Sequence, residues 1–189
     1  MSAAPPAPPV PPAPPVPPAP PAARPRAAAP RLVLGIDPGT LRTGLGVVEA
    51  AGNALRCRLV RVVRAQAGAP LAERLAAVHA GVAAALRESN ATAVAVEGVF
   101  VQRSVRAALL LGHARGVALL AAAQANAPVF EYAPAMVKRA VTGRGAADKK
   151  QVQYMVRALL SLGAEARLLP DAADALAVAI CHLLKGPRA

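Results

Sequence analysis

Past residue 30, the hydrophobic pattern opens with an apolar run, LVLGI at residues 32–36, which has the length and aliphatic character of a buried strand. After a short Gly/Thr turn, residues 44–48 repeat that character. LRCRLVRVV at residues 55–63 then alternates apolar with polar, as a half-exposed strand does. Three strands with short loops predict an antiparallel meander. From there the period changes. Over residues 70–88 the apolar positions Leu71, Leu75, Val78, Val82 and Leu86 keep helical spacing, with Pro70 suited to the first turn. TAVAVEGVF predicts a short strand ending in Glu97, residues 104–125 a long helix rich in Ala and Leu, and PVFEY another strand. Pro134 can open a short helix to Ala140, and TGRGAADKK reads as a basic glycine loop. Asp148 with Gln151 resembles a capping box for a helix to Leu162, and a last helix starts at Asp171 behind Pro170. This order predicts an α/β fold, a mixed five-stranded sheet with helices on both faces.

The first thirty residues follow no such period. Fourteen of the twenty prolines lie there, in triplet repeats whose missing N–H groups and fixed φ favour extended polyproline II. Residues 1–30 are therefore expected to be a disordered proline-rich tail, 31–185 one domain, and 186–189 a C-terminal tail. The tail carries no charge before Arg24, yet its prolines forbid a continuous apolar helix, and no basic start marks a signal peptide. No later uncharged apolar run reaches the roughly eighteen residues that spanning a bilayer requires. A soluble protein with no membrane association is expected.

Cys57 and Cys181 stand alone, outside any CxxC or Cys/His cluster, which suits a reducing cytoplasm and argues against a zinc site. The 22 Lys and Arg against ten Asp and Glu leave a formal charge of +12, which favours a polyanionic partner such as nucleic acid. Acids are the scarcer species, so their placement is the more informative.

Asp37, Glu97 and the pair Asp171 and Asp174 each lie at the end of an apolar strand or the start of a helix, where α/β folds gather side chains from distant positions into a cleft. Singly, each has an ordinary explanation. Asp37 before Pro38 and Gly39 can start a turn, Glu97 can be an exposed strand end, and PDAAD can open a helix with Asp171 as N-cap and Asp174 at the third position. Jointly they point elsewhere. Asp171 and Asp174, three apart, share a helical face, where like charges cost each other roughly 0.2 to 0.5 kcal/mol. Two carboxylates from a helix end and one from each of two strand ends supply the hard oxygen ligands of a two-metal phosphodiester site, with positions left for water and phosphate.

Other chemistries lack their residues. There is no GxSxG elbow, no GxxxxGK[ST] loop, and no HExxH pairing of His79, His113 or His182. His182, eight residues beyond Asp174, reads as an end-of-helix histidine outside the site.

With these residues in view, the chain resembles the RuvC Holliday junction resolvases, nucleases of the RNase H-like fold. The likeness covers residues 32–184 and is carried by GIDPGTLRTGLGVV, VAVEGVF, LGHARGVALLAA, PVFEYAPAMVKRAVTGRGAADKKQVQYMV and DAADALAVAICH. The resemblance implies a homodimer that binds four-way DNA junctions and makes paired nicks with two Mg²⁺ ions per site, Mn²⁺ being an alternative. One ion would activate a water for in-line attack and the other would stabilise the departing 3′ oxygen. Its catalytic and metal-binding acids correspond to Asp37, Glu97, Asp171 and Asp174. Lys138 and Lys149 match lysines near the DNA, Phe100 matches an aromatic used at the junction, and Arg103 is counted with them on the DNA side. The long helix after Phe100 corresponds to the dimer contact, and a branch-migration helicase complex is the implied partner. The chain departs from many members at Gly98, where they have Gln after the catalytic Glu.

Two readings of other classes remain. GIDPGT also looks like the phosphate loop of the actin and sugar-kinase group, which saturable ATP binding would favour, although about 150 ordered residues leave no space for that group's second lobe. A DNA-architectural protein would hold junctions without cutting, and a magnesium-dependent nick would exclude it.

Overall fold

The computed structural model describes residues 31–98, 104–163 and 165–187. Its strands are β1 (Arg31–Asp37), β2 (Arg42–Ala51), β3 (Ala54–Arg64), β4 (Ala93–Glu97) and β5 (Val129–Tyr132). The helices are α1 (Leu71–Ser89), α2 (Val105–Gln124), α3 (Pro134–Thr142), α4 (Lys149–Leu159) and α5 (Pro170–Lys185). The strands form one sheet in the order β3-β2-β1-β4-β5. The meander β1-β2-β3 is antiparallel, while β4 and β5 add in parallel beside β1 after their helical crossovers. The expected mixed sheet is therefore present, with β1 central and apolar on both faces.

Each face has its own core. On one side α3, α4 and α5 cover Val33, Val48 and Ala95, with Leu176, Val178 and Ile180 of α5 fully or almost fully buried. On the other, α1 and α2 cover Leu34, Ile36, Leu45 and Val47 through Val78, Val82, Ala118 and Ala121. A register shift between Val47 and Val48 opposite β3 switches the faces of that strand. Leu55 and Cys57 pack toward α5, whereas Leu59 and Val63 pack toward α1.

Helix α5 packs against all five strands, and glycine makes its approach possible. A Cβ on Gly35 would collide with the Ala175 carbonyl, one on Gly44 with the Asp171 carbonyl, and one on Gly46 with the Leu176 side chain. Gly35 and Gly46 are register partners, and Gly44 pairs with Asp37. Three missing side chains thus form a trench in which the helix backbone rests on the sheet.

Among the described residues α2 alone has the length and mean hydropathy, 1.4, of a bilayer span. Its alanines at 114, 118, 121 and 122 are buried against the domain, while Val105, Leu109 and Leu120 are exposed.

Strand β2 is longer than the expected 44–48, and three helix boundaries also differ from the sequence reading. Asp171 is not the N-cap of α5. Pro170 occupies the first helical position, its fixed φ suiting it to that place, so the cap falls on Leu169, which gives no side-chain cap bond. Helix α3 runs two residues past Ala140, to a left-handed Gly143 that closes it. Helix α4 ends at Leu159 rather than Leu162, because Ser161 adopts φ 51° and Arg157 turns to the carbonyls of Gly163 and Ala166. Its start is as expected: Asp148 accepts from the Gln151 amide at 2.9 Å, and Gln151 accepts from the Asp148 amide at 3.1 Å. The proline-rich segment lies outside the described residues.

Candidate active site

Four acids come together where the sheet meets the first turns of α5. Asp37 ends β1. The turn after it is closed by buried Thr43, whose hydroxyl donates to the Gly39 carbonyl at 2.7 Å and accepts from the Gly39 amide at 3.3 Å. Turn closure thus belongs to Thr43, and the Asp37 carboxylate is left for other work.

Glu97 ends β4. The parallel register pairs Ile36 with Val96, so the next residues, Asp37 and Glu97, leave adjacent strands side by side. The trench brings in the remaining pair. With no Cβ at Gly44, the Asp171 carbonyl lies against the rung that Gly44 forms with Asp37, and Asp174 follows on the same helical face.

Electrostatics record the convergence. The Asp37 carboxyl is pushed up to about 7, first by burial and then by the negative charges of Asp174, Glu97 and Asp171, with Lys149 acting in the opposite sense. Burial also raises Glu97, reinforced by Asp174 and opposed by Lys149 and Lys138. Asp174 is raised by burial against the pull of Lys149.

A cleft of about 120 Å³ beside these acids is lined by Glu97, Asp174, Lys138 and Lys149, with Val137, Val152, Ala177 and Val178 as its apolar wall. Lys149 approaches Asp174 at 3.7 Å, and its side chain is 80% exposed, so this long, solvated contact compensates the acid only weakly. Lys138 and Lys149, expected near the DNA, lie beside Glu97 and Asp174. Phe100 and Arg103 lie outside the described residues.

Among the described residues no three His, Cys, Asp or Glu side chains already enclose a common point. Glu97 and Asp174 line the cleft, Asp37 and Asp171 lie within electrostatic reach of them, and a cation would offset the repulsion among the four. All four donors are carboxylates, with no thiolate or imidazole, which fits a hard ion such as Mg²⁺ or Mn²⁺ and not zinc. His182 is buried away from them. Its Nδ1 lies 2.7 Å from the Tyr132 hydroxyl and its ring packs on Phe130, making it part of the core.

Sequence reasoning missed three supports of the site. Arg115 of α2 donates to the Glu97 carbonyl at 3.1 Å and pairs with Glu131, tying the end of β4 to β5. An arginine in the middle of an Ala/Leu-rich helix was its signal. Thr43 and the Gly35, Gly44 and Gly46 trench left weaker ones, since glycine in a strand marks close backbone approach without saying to what.

Comparison with known proteins gives a consistent result. The family model described as crossover junction endodeoxyribonuclease RuvC matches residues 33–182. The crossover junction endodeoxyribonuclease RuvC of Myxococcus xanthus is 54% identical over 158 residues, covering 82% of this chain and 81% of that protein. The protein of the same name from Pelotomaculum thermopropionicum is 48% identical over 151 residues, covering 80% and 92%. Among solved structures, Thermus thermophilus RuvC in complex with a Holliday junction substrate superposes with a TM-score of 0.77 at 40% identity, over 82% of this chain and 93% of that one.

Proposed function

Because the chain belongs to the RuvC family of crossover junction endodeoxyribonucleases, we propose that Asp37, Glu97, Asp171 and Asp174 are the acids with which it resolves Holliday junctions. The protein is a nuclease of RNase H-like fold, and its substrate is a four-way DNA junction. The observation that supports the site assignment is the gathering of the four carboxylates around the end of β1, where burial first and then the charges of Asp174, Glu97 and Asp171 push Asp37 up to about 7.

The hydrolysis is metal-dependent, and two Mg²⁺ ions, replaceable by Mn²⁺, suit the all-oxygen donor set. When bound, such ions supply Lewis acidity for the attacking water and offset charge on the departing 3′ oxygen. Asp37, Glu97, Asp171 and Asp174 would hold the ions, Asp37 lying between Glu97 on the next strand and the first turns of α5 that carry Asp171 and Asp174. Lys138 and Lys149 hold DNA phosphate over the cleft and keep the strand in line for attack. Phe100 stacks on an unpaired base at the junction centre, with Arg103 on the adjacent DNA; both roles rest on the family resemblance.

Paired nicks need two active sites, and the exposed Val105, Leu109 and Leu120 of α2 offer the apolar surface for a homodimer. A branch-migration helicase complex is the expected partner, and the cytoplasm the expected compartment.

The test is incubation of the protein with a labelled immobile four-way junction and with linear duplex, with and without Mg²⁺. Paired, Mg²⁺-dependent nicks in the junction alone are expected, and Asp37→Asn should abolish them while junction binding persists. Wild-type nicking by Asp37→Asn would overturn the site assignment, and cleavage in excess EDTA would overturn its metal dependence.

A further inference from the structure

Strand β3 carries four arginines, and the fold treats one of them differently. Arg58 pairs with Glu49 at 2.9 Å, Arg61 pairs with Glu88 at 2.7 Å, and Arg56 faces Glu49 in the register. Arg64, the last residue of the strand, instead has Arg42 of β2 as its direct cross-strand partner. The Ala65 amide donates to the Leu41 carbonyl at 3.0 Å just beyond them, which fixes this final rung. Both arginines are exposed, and neither makes an ion pair among the described residues. Like charges directly opposite one another destabilise a sheet. A charged edge strand discourages edge-to-edge pairing, but a Glu at either position would do that and also neutralise its partner.

The location of the pair explains it. Gly44 and Asp37 form a rung whose side chains face α5, since a Cβ on Gly44 points at the Asp171 backbone. Alternation places Arg42, two residues earlier, on that same face, about 7 Å along the strand from the Asp37 rung. Arg64 shares the face, because Val63 beside it packs toward α1. Lys138 and Lys149 lie on the opposite flank of the acids, beside Glu97 and Asp174. Cations thus bracket the cleft on both sides.

We propose that Arg42 and Arg64 together clamp one backbone phosphate of the cut strand, next to the scissile phosphate and on the β3 side of the cleft. Two guanidinium forks satisfy a single phosphate well, and the phosphate removes their mutual repulsion. The inference rests on the junction-cleaving reading above and extends it to a subsite for the neighbouring nucleotide.

The test compares wild type, the double variant Arg42→Gln/Arg64→Gln, and Arg56→Gln, which alters the same strand on its other face. Junction affinity is measured in Ca²⁺ across a salt series, with single methylphosphonates placed in turn at the three phosphates on either side of the nick. The double variant is expected to bind about tenfold more weakly, as loss of charge-assisted hydrogen bonds does. Its log–log salt slope should be shallower by about one, and Arg56→Gln should match wild type. One methylphosphonate position should weaken wild type while leaving the double variant unaffected. The melting temperature of the double variant should equal or exceed that of wild type. Methylphosphonates that cost the double variant as much as wild type at every position, or an unchanged salt slope, would overturn the clamp. Failure of wild type itself to bind or nick junctions would count against the function and not against the clamp.

Discussion

Gly44→Ala tests whether the glycine trench builds the active site. The added methyl would meet the carbonyl oxygen and carbon of Asp171 and the amide nitrogen of Ala172, all backbone atoms of the turn that carries the acids. No flexible side chain is available to give way. Gly44 is held on both sides, by Asp37 in β1 and Val62 in β3, and α5 is held further along at Gly35 and Gly46. The relief is for the first turn of α5 to lift, by on the order of 1 Å, away from Asp37. Overpacking of this kind costs roughly 1–3 kcal/mol, and one kcal/mol lowers the melting temperature of a domain this size by about 2–4 °C. A drop of about 5–10 °C is therefore expected in thermal unfolding. With a typical domain stability of about 5–15 kcal/mol, nearly all the protein stays folded at 25 °C, so unfolding cannot account for a large loss of activity. Displacing two of the four proposed metal ligands by about 1 Å can: misplacement on that scale costs about a hundredfold. Junction nicking, measured at 25 °C with saturating Mg²⁺, should fall by about that factor. Gly68→Ala, where an added methyl meets nothing within 4 Å, is the control and should change neither quantity much. Gly44→Ala with wild-type nicking and a melting temperature within about 2 °C of wild type would refute the trench.

Three further outcomes can be checked on the same preparation. The folded state raises Asp37 from 3.8 to about 7, so its ionised form is disfavoured there, and the metal-free protein should lose stability as pH rises from about 4 through 7. The shift is worth at most about 4 kcal/mol, shared among coupled carboxylates, so in EDTA at pH 8 Asp37→Asn should melt higher than wild type, and a lower melting point would contradict the buried-charge account. Lys138→Ala and Lys149→Ala should each flatten the log–log salt dependence of junction binding by about one, and unchanged slopes with unchanged rates would make both merely solvated surface lysines. Leu109→Glu, at an exposed apolar position of α2, should give a monomer by light scattering with an unchanged fold, whereas a persistent dimer would place the interface elsewhere.

The local elements were legible in the sequence because each carried its own signal: the 32–36 run, the capping box at Asp148 and Gln151, and the helical spacing of Leu71 to Leu86. The four acids were legible as candidates because Asp37 and Glu97 end apolar strands and Asp171 and Asp174 open an apolar helix, where a charge is out of place without a purpose. What could not be read was long-range fit. Gly35 of β1 and Gly44 and Gly46 of β2 look like ordinary strand glycines until α5, more than a hundred residues later, is laid across them. Arg115 likewise acquires its role only when β4 and β5 stand side by side in space. Asp171 taken singly could also be read as a cap because acids favour that place, but Pro170 began the helix one residue earlier. The displaced Asp171 carries no N-cap role, and its carboxylate remains free for the cleft.

That freedom is shared by the other site acids, whereas four of the six remaining carboxylates have an internal partner and the other two, Glu73 and Glu165, are exposed to water, and the contrast argues for function more strongly than any single residue does. Glu49 has Arg58, Glu88 has Arg61, Glu131 has Arg115, and Asp148 caps α4. Asp37, Glu97 and Asp171 make no ion pair among the described residues, and Asp174 has only an exposed lysine at 3.7 Å. This chain has 22 Lys and Arg for ten acids, so a scarcity of cations cannot explain the omission. Nor can exposure, since burial is the largest cause of the raised Asp37, Glu97 and Asp174. Partly buried carboxylates grouped without internal cations cost stability in the isolated protein. A fold that gives Glu49, its one fully buried acid, an arginine, and tolerates that cost at one cleft, leaves the cleft's charge to be offset by cations that come from solution.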